Sequence, residues 1–147
     1  MPRQLFLVMS LFFFAGCGSN EGRRAAVLPE GCALSFPEVG LCASVTWKSA
    51  PAVRQVTEAT LRFFRATGNA KTGPFERPDG AVNVPSPRMP AMGHDSGEDP
   101  RTTAVAATVS DYRVENVFFN MRGKWSLTVE LRKGGKVVET ATLPLAL

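Results

Sequence analysis

The residues that could do chemistry are concentrated in one stretch, Met89-Pro-Ala-Met-Gly-His94. Beyond the N-terminal apolar segment the chain keeps three methionines, Met89, Met92 and Met121, and its one histidine is His94. Thioether sulfur and imidazole nitrogen are soft and borderline ligands that suit Cu(I). A site with several thioethers and one imidazole favours Cu(I) over Cu(II) or Zn²⁺. We therefore expect Met89, Met92 and His94 to be candidate metal ligands.

The spacing of these residues sets a condition on the local structure. Met89 and Met92 are three residues apart and His94 follows two residues later, so the donors converge only if the chain turns at Pro90 or Gly93. Met121 can add a fourth donor only if its own turn lies at the same end of the domain. The alternative is structural: methionines often fill gaps in a core, and the Pro-Gly stretch can be a rigid cap with His94 on the surface. The sequence leaves both interpretations open.

Catalysis finds little support in the sequence. There is no HExxH, no P-loop and no GxGxxG motif, and the carboxylates are scattered. No serine or aspartate can be paired with His94 from spacing alone. The formal net charge is +4, but the charges are interspersed and form no basic run, which gives no argument for nucleic acid binding. We therefore predict a binding protein and not an enzyme.

The N-terminus has the pattern of an export signal. Arg3 precedes an apolar segment at residues 5–14 that is too short to span a bilayer as a helix. The following Ala15-Gly16-Cys17 resembles a bacterial lipobox, which implies cleavage after residue 16 and lipidation of Cys17. An ordinary secretory signal with a chance cysteine is the alternative. Either interpretation predicts a cell-envelope protein, and lipidation would anchor it to the outer or inner membrane.

Two further cysteines, Cys32 and Cys42, remain for an oxidising compartment, where paired cysteines form disulfides. The alternative is a thiolate metal pair, although the spacing is too wide for a CxxC motif. We divide the chain into a signal peptide (1–16), a lipidated N-terminus with a flexible tether and the Cys32–Cys42 loop (17–42), and a domain (43–147).

The sequence pattern predicts that the elements positioning the candidate ligands are β-strands. Residues 124–132 alternate strictly, with Trp125, Leu127, Val129 and Leu131 on one face, and Gly134-Gly135 then predicts a hairpin to a last strand. Residues 53–65 are ambiguous between strand and helix, although Phe63 and Phe64 favour a strand. About seven short strands are predicted, which indicates an all-β, immunoglobulin-like (Ig-like) sandwich.

Several motifs in this order resemble one family. They are Val45-Thr-Trp47, Leu61-Arg-Phe63, Met89-Pro-x-Met92-Gly-His94 and Met121-x-Gly-x-Trp125. Together they resemble the YtkA-like domain, which is related to FixH-like proteins and to CopC-like β-sandwiches, over roughly residues 43–145.

The resemblance implies an Ig-like sandwich in the envelope, with partners in copper handling or oxidase assembly. It also implies that Met89, Met92, His94 and Met121 are the motif residues. Asp95 stands where the family usually has a second glycine, and its carboxylate could orient His94. A second hypothesis is that the domain is a non-metal accessory module of an envelope complex.

Overall fold

A computed structural model describes residues 27–147, which form eleven strands and no helix. Within the described residues there is accordingly no helix long and apolar enough to cross a membrane. The strands are β1 (Leu34–Phe36), β2 (Leu41–Trp47), β3 (Thr57–Asn69), β4 (Gly73–Phe75), β5 (Ala81–Asn83), β6 (Arg88–Met89), β7 (His94–Asp95), β8 (Arg101–Ala104), β9 (Asp111–Val117), β10 (Lys124–Lys133) and β11 (Lys136–Ala146).

The strands form two antiparallel sheets. The six-stranded sheet has the order β1-β2-β3-β9-β8, with β4 added beside β3. The five-stranded sheet has the order β11-β10-β6-β7, and β5 also pairs with β10. Strand β10 is thus the centre of the five-stranded sheet, with β11 on one side and β5 and β6 in succession on the other.

The core lies between the two sheets and follows from the alternation of apolar residues. Successive side chains of a strand point to opposite faces, and on β10 every second residue is buried. The inner face of the six-stranded sheet contributes residues such as Leu61, Phe63 and Val114, all fully buried. Trp125 of β10 is 1% exposed and packs edge-on against Phe119, with ring centroids 5.5 Å apart.

The predicted disulfide is present: Cys32 and Cys42 are bonded, with their Cα atoms 5.3 Å apart. The loop that it closes is more ordered than the sequence suggested, because it contains β1 paired with the start of β2. The turn between these strands is fixed from the other sheet. The backbone N–H groups of Glu38 and Val39 each donate a hydrogen bond of 3.1 Å to the Glu139 carboxylate on β11.

The all-β prediction is confirmed, and residues 57–69 are a strand and not a helix. The number of strands, predicted as about seven, is wrong. The additional strands are β1 and the short segments β4, β6 and β7, which are too short to show a periodicity in sequence. The first sheet also begins before residue 43, at Leu34. The predicted signal peptide, Cys17 and the tether up to residue 26 lie outside the described residues.

Candidate metal centre at the methionine hairpin

The stretch Met89–His94 forms the turn of a β-hairpin, Arg88–Asp95, which we call the methionine hairpin. Met89 and His94 are Cα partners across its two strands. The backbone N–H groups of Met92 and Gly93 donate to the Met89 carbonyl at 3.2 and 3.0 Å. Proline at residue 90 presets the backbone for such a turn, and Gly93 has φ +71°, which favours glycine. The motif's proline and glycine thus explain why Met89 faces His94.

The methionine hairpin packs against the turn that precedes β10. Arg88 is the Cα partner of Ser126, and continuation of this antiparallel register brings Met89 beside Trp125. Gly123 lies so close that a Cβ atom there would be 2.8 Å from Met89 Cε and 3.6 Å from its sulfur. The absence of a side chain at Gly123 therefore leaves the space that the Met89 thioether occupies. Met89 is 5% exposed.

His94 lies partly exposed beside the core. Its ring meets Trp125 edge-on, with centroids 6.4 Å apart. Its Nδ1 atom is 3.2 Å from the Asp95 carbonyl oxygen. A carbonyl can only accept, so we assign the proton to Nδ1, which leaves the Nε2 lone pair available as a ligand. The Asp95 carboxylate does not orient the ring as expected. It accepts the Gly97 N–H at 3.0 Å instead.

Met121 begins the turn against which Met89 packs. The Trp125 indole N–H donates to the Met121 carbonyl at 3.0 Å, which fixes that turn on the core tryptophan. The Met121 side chain is 38% exposed. Met89 contacts Gly123, which is two residues after Met121. The loop of Met89 and the turn of Met121 therefore lie at the same end of the sandwich.

Met92 is the most exposed of the candidate donors. It occupies the tip of the methionine hairpin with 63% of its surface accessible. The structure therefore brings together Met89, His94 and the turn of Met121, and leaves the Met92 side chain largely in solvent. The three methionines differ in burial: Met89 packs like a core residue, Met121 is partly covered, and Met92 is mostly exposed.

Asn120 is a residue at this end that the sequence gave no reason to select. Its amide nitrogen donates to the Ser96 carbonyl at 3.5 Å, a long contact that links the turn of Met121 to the end of β7. Its side-chain oxygen is buried and has no hydrogen-bond partner within the described residues. A buried acceptor without a partner is uncommon, and nothing in the local sequence pattern distinguishes this asparagine.

The donor chemistry at this end fits a soft ion better than a hard one. Within residues 27–147, no group of three or more His, Cys, Asp or Glu side chains is arranged to hold a metal ion. The candidate donors are two or three thioethers and one imidazole nitrogen, a set that suits Cu(I).

An apolar groove of ≈ 500 Å³ adjoins the methionine hairpin. Its lining includes Pro90 and Ala91 from the hairpin, Trp125 from β10 and Leu145 from β11, and Lys124 is its charged residue. The groove thus extends from the candidate donors across the edge of the five-stranded sheet.

Comparison of the chain with protein-family models, curated proteins and solved structures finds no match. The YtkA-like resemblance therefore stays a prediction that rests on the motifs alone.

Proposed function

We propose that this protein binds Cu(I) at the methionine hairpin, with His94 Nε2 and the Met89, Met92 and Met121 sulfurs as ligands. The observation that carries the proposal is the pairing of Met89 with His94, whose Nδ1 proton is held by the Asp95 carbonyl. A metal-bound histidine usually donates its other ring N–H to such an acceptor. Met121 lies on the neighbouring turn and Met92 on the tip of the hairpin, and a shared ion requires that both side chains rotate toward His94.

We further propose that the domain is an Ig-like, YtkA-like sandwich of an envelope lipoprotein that serves copper handling or oxidase assembly. The supporting observations are the lipobox-like Ala15-Gly16-Cys17 and the Cys32–Cys42 disulfide, which requires an oxidising compartment. Mass spectrometry of the N-terminal peptide tests the anchor. Lipid on Cys17 supports it, and an unmodified cysteine or an intact residue 16 contradicts it.

The copper proposal predicts one equivalent of tight Cu(I) binding. The purified protein is titrated anaerobically against a chromophoric Cu(I) chelator. Substituting His94→Asn removes the imidazole and is expected to weaken binding at least about tenfold, as loss of one ligand interaction of about 1.4 kcal/mol or more would. Met92→Leu removes sulfur from an exposed position, and Met121→Leu removes it with nearly the same volume, so their effects report coordination more than packing.

Two controls separate ligation from folding. Met89→Leu nearly conserves volume and so keeps the packing against Gly123 while removing sulfur. Ala91→Ser changes the tip of the same hairpin without touching a candidate donor. Near-ultraviolet circular dichroism of the aromatic side chains, Trp125 among them, checks that each variant is folded. Absence of binding in the parent, or equal binding in the parent and in the His94→Asn and methionine variants, would sink the proposal.

A second candidate function is a non-metal accessory module that docks an envelope protein. The observation that favours it is the apolar groove beside Trp125, with Lys124 at its rim. Its partner would present an apolar segment flanked by a carboxylate that pairs with Lys124. Capture of that partner would be indifferent to copper chelators and weakened by Lys124→Glu, whereas chelator-sensitive capture would favour the copper function.

A further inference from the structure

The outer face of the six-stranded sheet carries a row of polar side chains outside the candidate metal centre. Cross-strand partners in a sheet lie side by side on one face. The registers of β2, β3, β9 and β8 align one residue from each strand, because Thr46 pairs with Thr60, Thr60 with Arg113, and Arg113 with Thr103. We call these four residues the threonine–arginine row. With adjacent strands ~4.8 Å apart, the row spans roughly 14 Å.

The other charges of this face neutralise one another. On each side of the threonine–arginine row lie further cross-strand rows that contain charged residues. In these rows, three arginine or lysine side chains each pair with a carboxylate. The pairs are Lys48–Glu58 at 3.1 Å, Arg62–Asp111 at 2.8 Å and Arg101–Glu115 at 2.7 Å. The carboxylates nearest to Arg113 along β9, Asp111 and Glu115, are therefore already occupied by other arginines.

The Arg113 side chain is exposed and forms no ion pair or hydrogen bond with any residue of the described part of the chain. The hydroxyl groups of Thr46, Thr60 and Thr103 likewise have no hydrogen-bond partner among residues 27–147. A guanidinium group offers five N–H donors in a planar fork, and each hydroxyl both donates and accepts. The row thus presents one available cation flanked by three available hydroxyls.

The surface around the row is concave. A depression of ≈ 390 Å³ is lined by Thr46, Thr60 and Arg113, among others. A second depression, of ≈ 490 Å³, is lined by Thr103 and Arg113. Arg113 lies between the two depressions and belongs to both, so an extended ligand along the row would pass over its guanidinium.

We propose that the threonine–arginine row binds an acidic oligosaccharide, with a sugar carboxylate on the Arg113 guanidinium and sugar hydroxyls on the three threonines. Arginine binds carboxylates in bidentate fashion, and sugar hydroxyls can donate to and accept from threonine along the whole row. An extended peptide would instead pair with a strand edge, and the row lies on a sheet face. An anionic membrane surface attracts clusters of basic residues, whereas this face has a single unpaired cation.

The test uses the full-length protein and three labelled probes of about equal length, with binding followed by fluorescence anisotropy. They are an oligogalacturonate, the neutral oligogalactose and an oligoglutamate. We expect the oligogalacturonate to bind best, since it alone combines carboxylates with sugar hydroxyls. Oligoglutamate binding as tight as the oligogalacturonate would overturn the choice of a sugar ligand, and binding of none of the probes would overturn the site.

Matched variants locate the binding. Arg113→Gln is expected to raise the dissociation constant of the oligogalacturonate about tenfold, as loss of a charge-assisted hydrogen bond does. Arg122→Gln makes the same charge change at another exposed arginine and should leave this dissociation constant unchanged. Thr60→Val removes one hydroxyl at constant shape and should raise the dissociation constant of the oligogalacturonate about fivefold. Thr140→Val, on the other sheet, should leave this dissociation constant unchanged. Equal effects of Arg113→Gln and Arg122→Gln would mean non-specific attraction and contradict the site.

Discussion

Asp111 carries a nearly buried carboxylate that forms an ion pair with one arginine, Arg62. Arg62 Nε donates to Oδ1 at 2.9 Å and a terminal nitrogen donates to Oδ2 at 2.8 Å, a bidentate arrangement. The Asp111 side chain is 7% exposed. The hydrogen bonds from Arg62 lower the pKa of Asp111 below its usual value, against the opposing effect of burial. The same contact raises the pKa of Arg62.

This pKa shift predicts a pH-dependent effect of Asp111→Asn. A lowered folded-state pKa stabilises the fold above the unfolded-state pKa, and that contribution is lost as the pH falls through the folded-state pKa. At pH 7 we expect the substitution to lower the free energy of unfolding by about 1–3 kcal/mol. The difference should shrink below about pH 4 as the parent loses its ion pair. Urea denaturation between pH 2 and pH 7 measures it.

Asp79→Asn is the matched control for this prediction. Asp79 pairs with Lys133 at 2.6 Å, but both side chains are largely exposed. Fully exposed ion pairs contribute little to stability because water screens them, so the control should be nearly neutral at every pH. A loss of stability for Asp111→Asn that does not vary with pH would mean that shape and not charge governs the contact.

The sequence indicated the candidate donors but not their surroundings. Proline and glycine at residues 90 and 93 marked where a turn could bring Met89 toward His94, and the sequence left open whether the chain turns there. The burial of Met89 follows from the contact with Gly123, which depends on the pairing of Arg88 with Ser126 in a sheet. The acceptor for His94 Nδ1 is a backbone carbonyl, and every residue has one. Side-chain identities therefore pointed to the Asp95 carboxylate, which was wrong.

Among the elements, the β1–β2 hairpin is cross-linked within itself by the disulfide and is held to the rest of the domain by two further contacts. The disulfide joins Cys32, just before β1, to the buried Cys42 on β2. Strand β2 pairs along its whole length with β3. The Glu139 carboxylate on β11 holds the turn between β1 and β2 from the opposite sheet. The hairpin therefore closes one edge of the sandwich.

Removing the disulfide should destabilise the domain without unfolding it. A cross-link that closes a loop of about ten residues stabilises by roughly 2–3 kcal/mol in the chain-entropy model. We expect Cys32→Ser together with Cys42→Ser to lower the free energy of unfolding by about that amount in a denaturant titration. Added reductant should destabilise the parent to the same extent and leave the double variant unaffected. Reductant sensitivity in the double variant would contradict this assignment.

Element prediction succeeded where a strand was long and half-buried. Strand β10 alternates over ten residues and matches the expected segment almost to its ends. Residues 102–109 alternate and are rich in β-branched side chains, but strand β8 covers only the first part of this segment. It ends at Ala104, where the Val105 N–H donates to the Asp111 carbonyl, and Asp111 begins β9. The β-branched residues of that segment favour a strand locally, but hydrogen bonds of the turn override the preference.

At the scale of the whole molecule, the two proposed sites belong to different sheets. The methionine hairpin pairs with β10 in the five-stranded sheet. The threonine–arginine row faces outward from the six-stranded sheet. The core between them includes Leu61 and Val114 from one sheet and Leu127 and Val129 from the other. No hydrogen bond or ion pair within residues 27–147 joins a residue of the row to the hairpin.

This separation predicts that the two sites act independently. Substitutions without shared partners usually add in free energy to within about 0.3–0.5 kcal/mol. The variant carrying both His94→Asn and Arg113→Gln should therefore lose Cu(I) affinity as His94→Asn does, and oligogalacturonate affinity as Arg113→Gln does. Titrating each ligand in the presence and absence of the other completes the test, because coupling between sites is reciprocal. A rigid packed core does not allow a two-state rearrangement that links the sheets. A change in oligogalacturonate affinity of more than about twofold on adding Cu(I) would show such a rearrangement and contradict this prediction.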